Sequence, residues 1–292
     1  MPYRRLNDGP VSLCGLIGNP VSQSISPQIH NAAFRTKRLQ YVYLSFKVEP
    51  KYLAAAVHGL KTLGVVGFNV TIPHKVTIIP VLDTLEGDAI GASAVNTVAL
   101  RKGCLIGFNT DVEGFLSPLK RRHLNLKGLH SVVIGSGGAA RACILGLTRA
   151  STRKISIVAR NTNKAEKILS VLPSQSRVER IVVPLKGSEV RTTIRDADIL
   201  VNATPVGMDP KQEISVVDYG AIPSNQVVYD LVYKPIKTLL LKRAESAGAT
   251  VIPGYEMLVD QAAASFKIWT GLDAPRKTMI HQAISMLSSD NS

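Results

Sequence analysis

Ser131-Val132-Val133-Ile134-Gly135-Ser136-Gly137-Gly138-Ala139-Ala140 decides the fold, because a β-branched run passes through a glycine turn directly into an alanine-rich stretch. Strand, tight turn and helix in that order open a nucleotide-binding βα unit. Gly135 and Gly137 allow the turn and a close backbone approach to a pyrophosphate, and Ala140 takes the third small position, where helix packs on strand. The run from Gly135 through Ser136, Gly137, Gly138 and Ala139 would then meet the phosphates. Free N–H groups and a partial positive charge favour an anion at a helix N-terminus. The plainer alternative is an ordinary tight turn, which the flanking strand and helix disfavour.

An NAD-preferring domain normally ends its second strand in an Asp or Glu that accepts hydrogen bonds from the ribose 2′-hydroxyl. This chain has Ala159-Arg160-Asn161-Thr162 there, followed by Lys164, near the roughly 20-residue interval expected for that position. An acidic group would repel a 2′-phosphate, whereas an arginine grips it in a fork and stacks on adenine. NADP is favoured over NAD, against the alternative that Arg160 is a surface arginine following a strand.

Outward from this unit, strand patterns recur at 154–159, 180–184, 199–202, 227–231 and 250–252, alternating with helical stretches as a doubly wound sheet requires. Toward the N-terminus, 11–17, 41–46 and 65–70 read as strands. Helical patterns lie over 28–36, where Ser26 is the expected N-cap and Pro27 the first helical position, and over 50–63. Strand-helix-strand order favours a second, mostly parallel α/β sheet with helices on its faces. The rhythm restarts after Asp111 with a polar helix at 114–122, so a domain boundary is expected there. Two long helical patterns, 256–270 and 277–287, close the chain.

At 292 residues the chain exceeds the usual single-core size, and two domains with a cleft are expected. The hydrophobic content of 45% supplies ample material for two cores. A net charge of +14 raises the possibility of nucleic acid binding. The bases are scattered, however. Arg4-Arg5, Arg35 with Lys37 and Arg38, and Lys120-Arg121-Arg122 carry no interleaved aromatics for base stacking, so no nucleic-acid partner is expected. A field of this sign would still steer an anionic cofactor or substrate. Cys14, Cys104 and Cys143 form neither a disulfide framework nor a zinc pattern, and the histidines lack metal-ligand spacing, so no metal is expected. With no apolar run of membrane-spanning length and no signal core at the N-terminus, a cytoplasmic protein is expected.

Asn69-Val70-Thr71-Ile72-Pro73-His74-Lys75 delivers one lysine between a short apolar run and a proline-stiffened turn. Asn69 and Thr71 are placed to bond hydroxyls, and Asp111 in Asn109-Thr110-Asp111 to hold the ammonium and set its proton affinity. Asn96 and Ser24-Ile25-Ser26 add neutral hydrogen-bonding groups. Such a set suits a polyol, and with a dinucleotide site it suggests oxidoreduction of a small polar molecule. The competing reading of Ser26 is its helix-cap role.

Together these motifs resemble the shikimate dehydrogenase family, and the resemblance spans nearly the whole chain. It is carried by GNPVSQSISPQIHN (18–31), NVTIPHK (69–75), SAVNT (93–97), GFNTDVEGF (107–115), GSGGAARA from Gly135, ARNTNKA (159–165), NATPVGM (202–208) and PGYEMLVDQAAASFKIWTG (253–271). The resemblance implies that Lys75 is the catalytic acid/base with Asp111 as partner. Ser24, Ser26, Thr71, Asn96, Tyr233 and Gln261 would surround the substrate. Gly135 to Ala139 would hold the pyrophosphate, Arg160 with Ala159, Asn161 and Lys164 the 2′-phosphate end, and Leu231 and Gly254 would lie near the nicotinamide.

The family also implies that the C-terminal helices return to the first domain. The expected division is therefore 1–111 with 255–292 as the substrate-binding catalytic domain and 112–254 as a Rossmann-like NADP-binding domain. Gln23 stands where the family usually has histidine, and Ala159 where its 2′-phosphate motif usually begins with asparagine. The residues before Asn96 also depart from the pattern. The implied reaction is reversible NADPH-dependent reduction of 3-dehydroshikimate to shikimate by a monomer or homodimer. The alternatives are a broader quinate/shikimate dehydrogenase and a ligand-sensing homologue without catalysis.

Overall fold

A computed structural model describes residues 10–171, 177–209, 213–216 and 222–289; the basic pair Arg4-Arg5 lies outside them. The chain forms two compact units. One takes in the residues up to Ile90, Ala94–Thr110 and Ala262–Ala283, and the other Gly91–Ser93, Asp111–Gln261 and the residues from Ile284.

The chain runs β1 (Ser12–Gly18), α1 (Ser26–Thr36), β2 (Tyr41–Lys47), α2 (Leu53–Thr62), β3 (Gly67–Val70), α3 (His74–Thr77), β4 (Thr84–Leu85), α4 (Asp88–Ala92), β5 (Thr97–Arg101) and β6 (Cys104–Phe108). These strands make a six-stranded sheet in the order β2-β1-β3-β5-β6-β4. Its first three strands are parallel, β5 runs antiparallel to β3 and to β6, and β4 pairs parallel to β6. One face is sealed by Ile17, Val57, Phe68, Val70, Ile78, Val95 and Val98, all nearly fully buried. Burial of such apolar side chains contributes about 1.5 to 3 kcal/mol each.

Two features of this sheet differ from the sequence expectation. The β5–β6 hairpin was not anticipated. Its turn is Lys102-Gly103, with φ of 49° and 77°, the paired positive φ values that a two-residue hairpin turn needs. Helix α1 starts one residue earlier than expected. Ile25 is the N-cap, Ser26 is already helical, and Pro27 is second. The Ser24 hydroxyl, rather than that of Ser26, accepts the Ser26 N–H, at 3.3 Å.

At the outer edge of this sheet, the Asn31 side chain on α1 acts as a strand residue would. Its amide donates to the Tyr43 carbonyl at 3.0 Å, and its oxygen accepts the Tyr43 N–H at 2.8 Å. Both backbone groups of Tyr43 are thereby satisfied on the side where, among the described residues, β2 has no neighbouring strand.

The chain continues with α5 (Asp111–Arg121), β7 (His130–Ile134), α6 (Gly138–Arg149), β8 (Lys154–Ala159), α7 (Thr162–Val171), β9 (Glu179–Pro184), α8 (Val190–Arg195), β10 (Ile199–Asn202), β11 (Val227–Asp230), α9 (Leu239–Ser246), β12 (Thr250–Ile252), α10 (Gly254–Thr270) and α11 (Arg276–Ser289). Helix α5 begins three residues before the expected polar helix, at Asp111 itself. Strands β7 to β12 form a second six-stranded sheet in the order β12-β11-β10-β7-β8-β9, with every pairing parallel. Numbered from its own first strand, this is the doubly wound order 6-5-4-1-2-3, with the crevice above β7 and β10. Its central strands β7 and β10 are buried along their whole length, as a parallel sheet covered on both faces requires, whereas the edge strand β9 is partly exposed. The expected α/β class, with two mostly parallel sheets, holds.

Candidate active site

In the first unit, β3 ends at Val70 and the chain turns through Thr71 to Pro73 into the single turn of α3. Thr71 N–H donates to the Ile17 carbonyl and Asn19 N–H to that of Ile72, tying this turn to the loop after β1. A Cβ on Gly18 would lie 2.3 Å from the Thr71 methyl group, so only glycine permits this approach. His74, fully buried, anchors α3 through its Nε2 against the Val48 carbonyl at 2.7 Å. Lys75 is thus the second residue of a pinned helical turn. Its carbonyl accepts the Val95 N–H at 2.7 Å, which ties the lysine backbone to the residue preceding Asn96. At the start of α1, the Ser24 hydroxyl donates to that of Ser26 at 3.1 Å.

Asn96 is 2% exposed, and its orientation is set by Thr110. Its Oδ1 accepts the Thr110 N–H at 2.7 Å, and its Nδ2 donates to the Thr110 hydroxyl at 2.9 Å. Asn69, expected to bond hydroxyls of a ligand, has protein partners instead. Its Oδ1 accepts from the Tyr43 hydroxyl at 2.7 Å, while its Nδ2 faces the Asn96 carbonyl, Thr97 and Ser265, each at 3.0 Å. Buried amides must find such partners, and strand β3 puts this one inside the sheet. Tyr43, Thr97, Thr110 and Ser265 are site-supporting residues that sequence reasoning missed. The signal that could have found them was the polar character of residues flanked by apolar strands.

Asp111, the first residue of α5, begins the Asp111–Gln261 stretch of the second unit and is 4% exposed. A carboxylate in the first helical turn is favoured by the helix dipole. Gln261, the last residue of this unit in α10, donates its Nε2 to the Leu258 carbonyl at 2.8 Å. Gly114 lets α10 come close to α5, since a Cβ there would lie 2.8 Å from the Cβ of Gln261. Tyr233 is half-buried, and burial pushes its phenol upward from the ordinary value, so it is a neutral hydrogen-bonding group at physiological pH.

The glycine turn behaves as its chemistry demands. Gly135 has φ of +122°, and a Cβ there would lie 3.0 Å from the Ala203 carbonyl oxygen. Gly137 is the extended N-cap of α6, and nothing lies within 4 Å of where its Cβ would be. A backbone left open on that side, at the start of a helix with no acidic residue in its first turn, fits a pyrophosphate. Arg160, Asn161 and Lys164 are exposed beyond β8. The Asn161 oxygen accepts the Lys164 N–H at 2.9 Å and so caps α7, which gives that side chain a structural task beside the one the resemblance implied.

Leu231 and Gly254 meet at the ends of β11 and β12. A Cβ on Gly254 would lie 2.5 Å from the Leu231 carbonyl oxygen. Among the described residues, no cluster of His, Cys, Asp and Glu is placed to hold a metal ion, and no helix is long and apolar enough to cross a membrane.

An all-parallel doubly wound sheet with an open glycine turn at its first helix defines a Rossmann-type dinucleotide-binding protein, here joined to a second α/β unit. The model of the shikimate dehydrogenase substrate binding domain matches residues 16–98, that of shikimate / quinate 5-dehydrogenase residues 118–208, and that of the shikimate 5'-dehydrogenase C-terminal domain residues 254–284. A shikimate dehydrogenase (NADP(+)) of Methanopyrus kandleri is 44% identical over 274 residues, covering 93% of this chain and 94% of that protein. The chain belongs to the shikimate dehydrogenase family.

Among solved structures, shikimate 5-dehydrogenase of Thermus thermophilus in complex with NADP(H) and shikimate superposes with a TM-score of 0.84 at 31% identity, covering 95% of this chain and 100% of that one. Quinate dehydrogenase of Corynebacterium glutamicum in complex with NAD superposes with a TM-score of 0.86 at 30% identity, covering 94% and 99%.

Proposed function

We propose that this chain catalyses the reversible NADPH-dependent reduction of 3-dehydroshikimate to shikimate, the step of aromatic amino-acid biosynthesis that its family membership points to. In this reading the substrate-binding catalytic domain is 1–111 with 255–292, and the NADP-binding domain is 112–254. Bound NADPH would supply the hydride for the C3 carbonyl carbon. Lys75 gives a proton to the carbonyl oxygen, and takes it back in the oxidative direction, with Asp111 as its carboxylate partner.

Ser24, Ser26, Thr71, Asn96, Tyr233 and Gln261 bind the substrate hydroxyls and carboxylate. Gly135 through Ala139 hold the pyrophosphate, Leu231 and Gly254 flank the nicotinamide, and Arg160 grips the 2′-phosphate with Ala159, Asn161 and Lys164 beside it. What supports this most directly is Lys75 itself, the second residue of a helical turn pinned by His74 and Val95. Pinning the backbone of a proton donor limits the motion that would misplace its ammonium.

Absorbance loss from NADPH and from NADH, followed in parallel with 3-dehydroshikimate or 3-dehydroquinate as acceptor, tests the reaction. NADPH with 3-dehydroshikimate is expected to be the fastest pairing. Preference for 3-dehydroquinate with NADH would instead place the chain with its quinate-using relatives. Lys75→Ala is expected to lower turnover about a hundredfold or more while NADPH binding persists. Near-normal turnover in that variant would sink the assignment of the acid/base.

A further inference from the structure

Asp230, the last residue of β11, has no exposed surface, yet three different stretches of chain donate hydrogen bonds to its carboxylate. Asn202 at the end of β10 donates its side-chain amide to Oδ1 at 2.9 Å, and the Val232 backbone N–H donates to the same oxygen at 3.0 Å. Thr238, the N-cap of α9, donates its hydroxyl to Oδ2 at 2.6 Å and accepts the Leu241 N–H at 3.3 Å.

Asn202 extends the network in turn. Its Oδ1 accepts the Thr204 N–H at 3.1 Å and the Thr204 hydroxyl at 2.7 Å, its Nδ2 also reaches the Val206 carbonyl at 3.1 Å, and its own carbonyl accepts the Leu231 N–H at 3.0 Å. Gly254 closes on this run from the start of α10, since a Cβ there would lie 2.6 Å from the Val232 carbonyl oxygen. The loops leaving β10 and β11 are therefore fastened to one acid.

We propose that Asp230 is a positioning residue for the nicotinamide side of the site: its carboxylate fixes the Leu231–Tyr233 run and the turn after Asn202 in the geometry that receives the cofactor. The inference rests on the site reading given above, in which Leu231 lies beside the nicotinamide and Tyr233 on the substrate.

The chemistry favours this role over simple space-filling. Burying a carboxylate among neutral donors costs stability, and an apolar side chain would fill the end of β11 at lower cost. What an apolar residue lacks is the ability to collect donors from three directions at once, which is how a buried polar hub specifies one loop conformation. Burial pushes the Asp230 carboxyl up to about 6, so at neutral pH it is largely ionised and accepts from all of these donors. The loop is thus held by acceptor geometry rather than by an ion pair.

Asp230→Ala and Asp230→Asn, compared with the unaltered protein, test the role through NADPH fluorescence titration, steady-state kinetics and thermal melting. Asp230→Ala strands the Val232 N–H, the Asn202 amide and the Thr238 hydroxyl, and is expected to weaken NADPH binding about tenfold or more. Asp230→Asn keeps an oxygen for Asn202 and Val232, and is expected to stay within about threefold of the unaltered protein. An Asp230→Ala protein that melts earlier, yet binds NADPH and saturates with 3-dehydroshikimate normally, would overturn the proposal.

If Asp230→Ala does not fold, Thr238→Val removes the Oδ2 bond together with the cap bond that Thr238 accepts from the Leu241 N–H. A rise in the NADPH Kd then supports the role, and an unchanged Kd in a folded Thr238→Val protein refutes it. An unaltered protein that binds NADPH but leaves 3-dehydroshikimate unreduced would defeat the assigned reaction while leaving the comparison of NADPH Kd values intact.

Discussion

Among the described residues His30 has no hydrogen-bond partner on either ring nitrogen; it is completely buried and stacked on Tyr43 with centroids 4.5 Å apart. Burial pushes its imidazole down to about 3 from 6.5, so the folded chain holds it neutral while the unfolded chain binds a proton below about 6.5. The unfolded state therefore gains relative stability as pH falls from 6.5 toward 3. His30→Phe keeps a ring against Tyr43 and removes both stranded nitrogens. Denaturant melts across pH should show this variant losing less stability on the acid side. It should also gain about 1 to 3 kcal/mol near neutrality.

At this scale the sequence was most legible where chemistry is tied to a motif, as at Gly135 and Gly137. It was least legible where a residue's task depends on its neighbours. Asn69 and Asn96 lie in equally polar surroundings in the sequence, yet Asn69 is held by Tyr43 across the sheet, and only the fold brings that tyrosine near.

Elements were read best where one periodicity ran unbroken. The strands of the second sheet, rich in β-branched residues, and the glycine turn that follows β7 were expected almost to the residue. The β5–β6 hairpin was missed because Lys102-Gly103 lacks the usual Asn-Gly or Asp-Gly signal, although Gly103 marks the bend. The start of α1 was misread because serine before proline has the form of a cap, whereas Ile25 holds the cap position and the Ser26 N–H is accepted by the Ser24 hydroxyl one residue before it.

One element-level contact gives a direct test. A Cβ on Gly67 in β3 would lie 2.3 Å from the Trp269 indole nitrogen and 2.3 Å from the Val98 carbonyl oxygen, the two atoms that form a 3.0 Å hydrogen bond. Gly67→Ala should push α10 away from the sheet and lower stability by about 2 to 3 kcal/mol, measured by urea unfolding. A variant with an unchanged midpoint would mean that the indole yields without cost.

At the scale of the whole molecule, a net charge of +14 acts on a dinucleotide and a carboxylate substrate, both anionic. Attraction of this kind is screened by salt over roughly 10 Å at 0.1 M. The kcat/KM for NADPH should fall several-fold between about 0.02 and 0.5 M NaCl, with little change in melting temperature. A flat profile would assign the charge to solubility alone. Doubly wound architecture in one unit and a mostly parallel sheet in the other were legible because alternating strands and helices leave few packing solutions. The antiparallel turn within the first sheet was not, since strand direction depends on a hairpin that the sequence barely marks.

The Asn31 side chain that pairs with Tyr43 bears on how this protein behaves in a crowd. An unpaired strand edge invites any extended peptide to dock and continue the sheet, which is the first step toward fibrils and swapped assemblies. With the middle of β2 already bonded to Asn31, an incoming strand would have to displace that amide before it could make its own ladder. One asparagine on the first helix thus acts as a guard against templated growth, and it does so without a charged or bulged residue on the edge strand at that position.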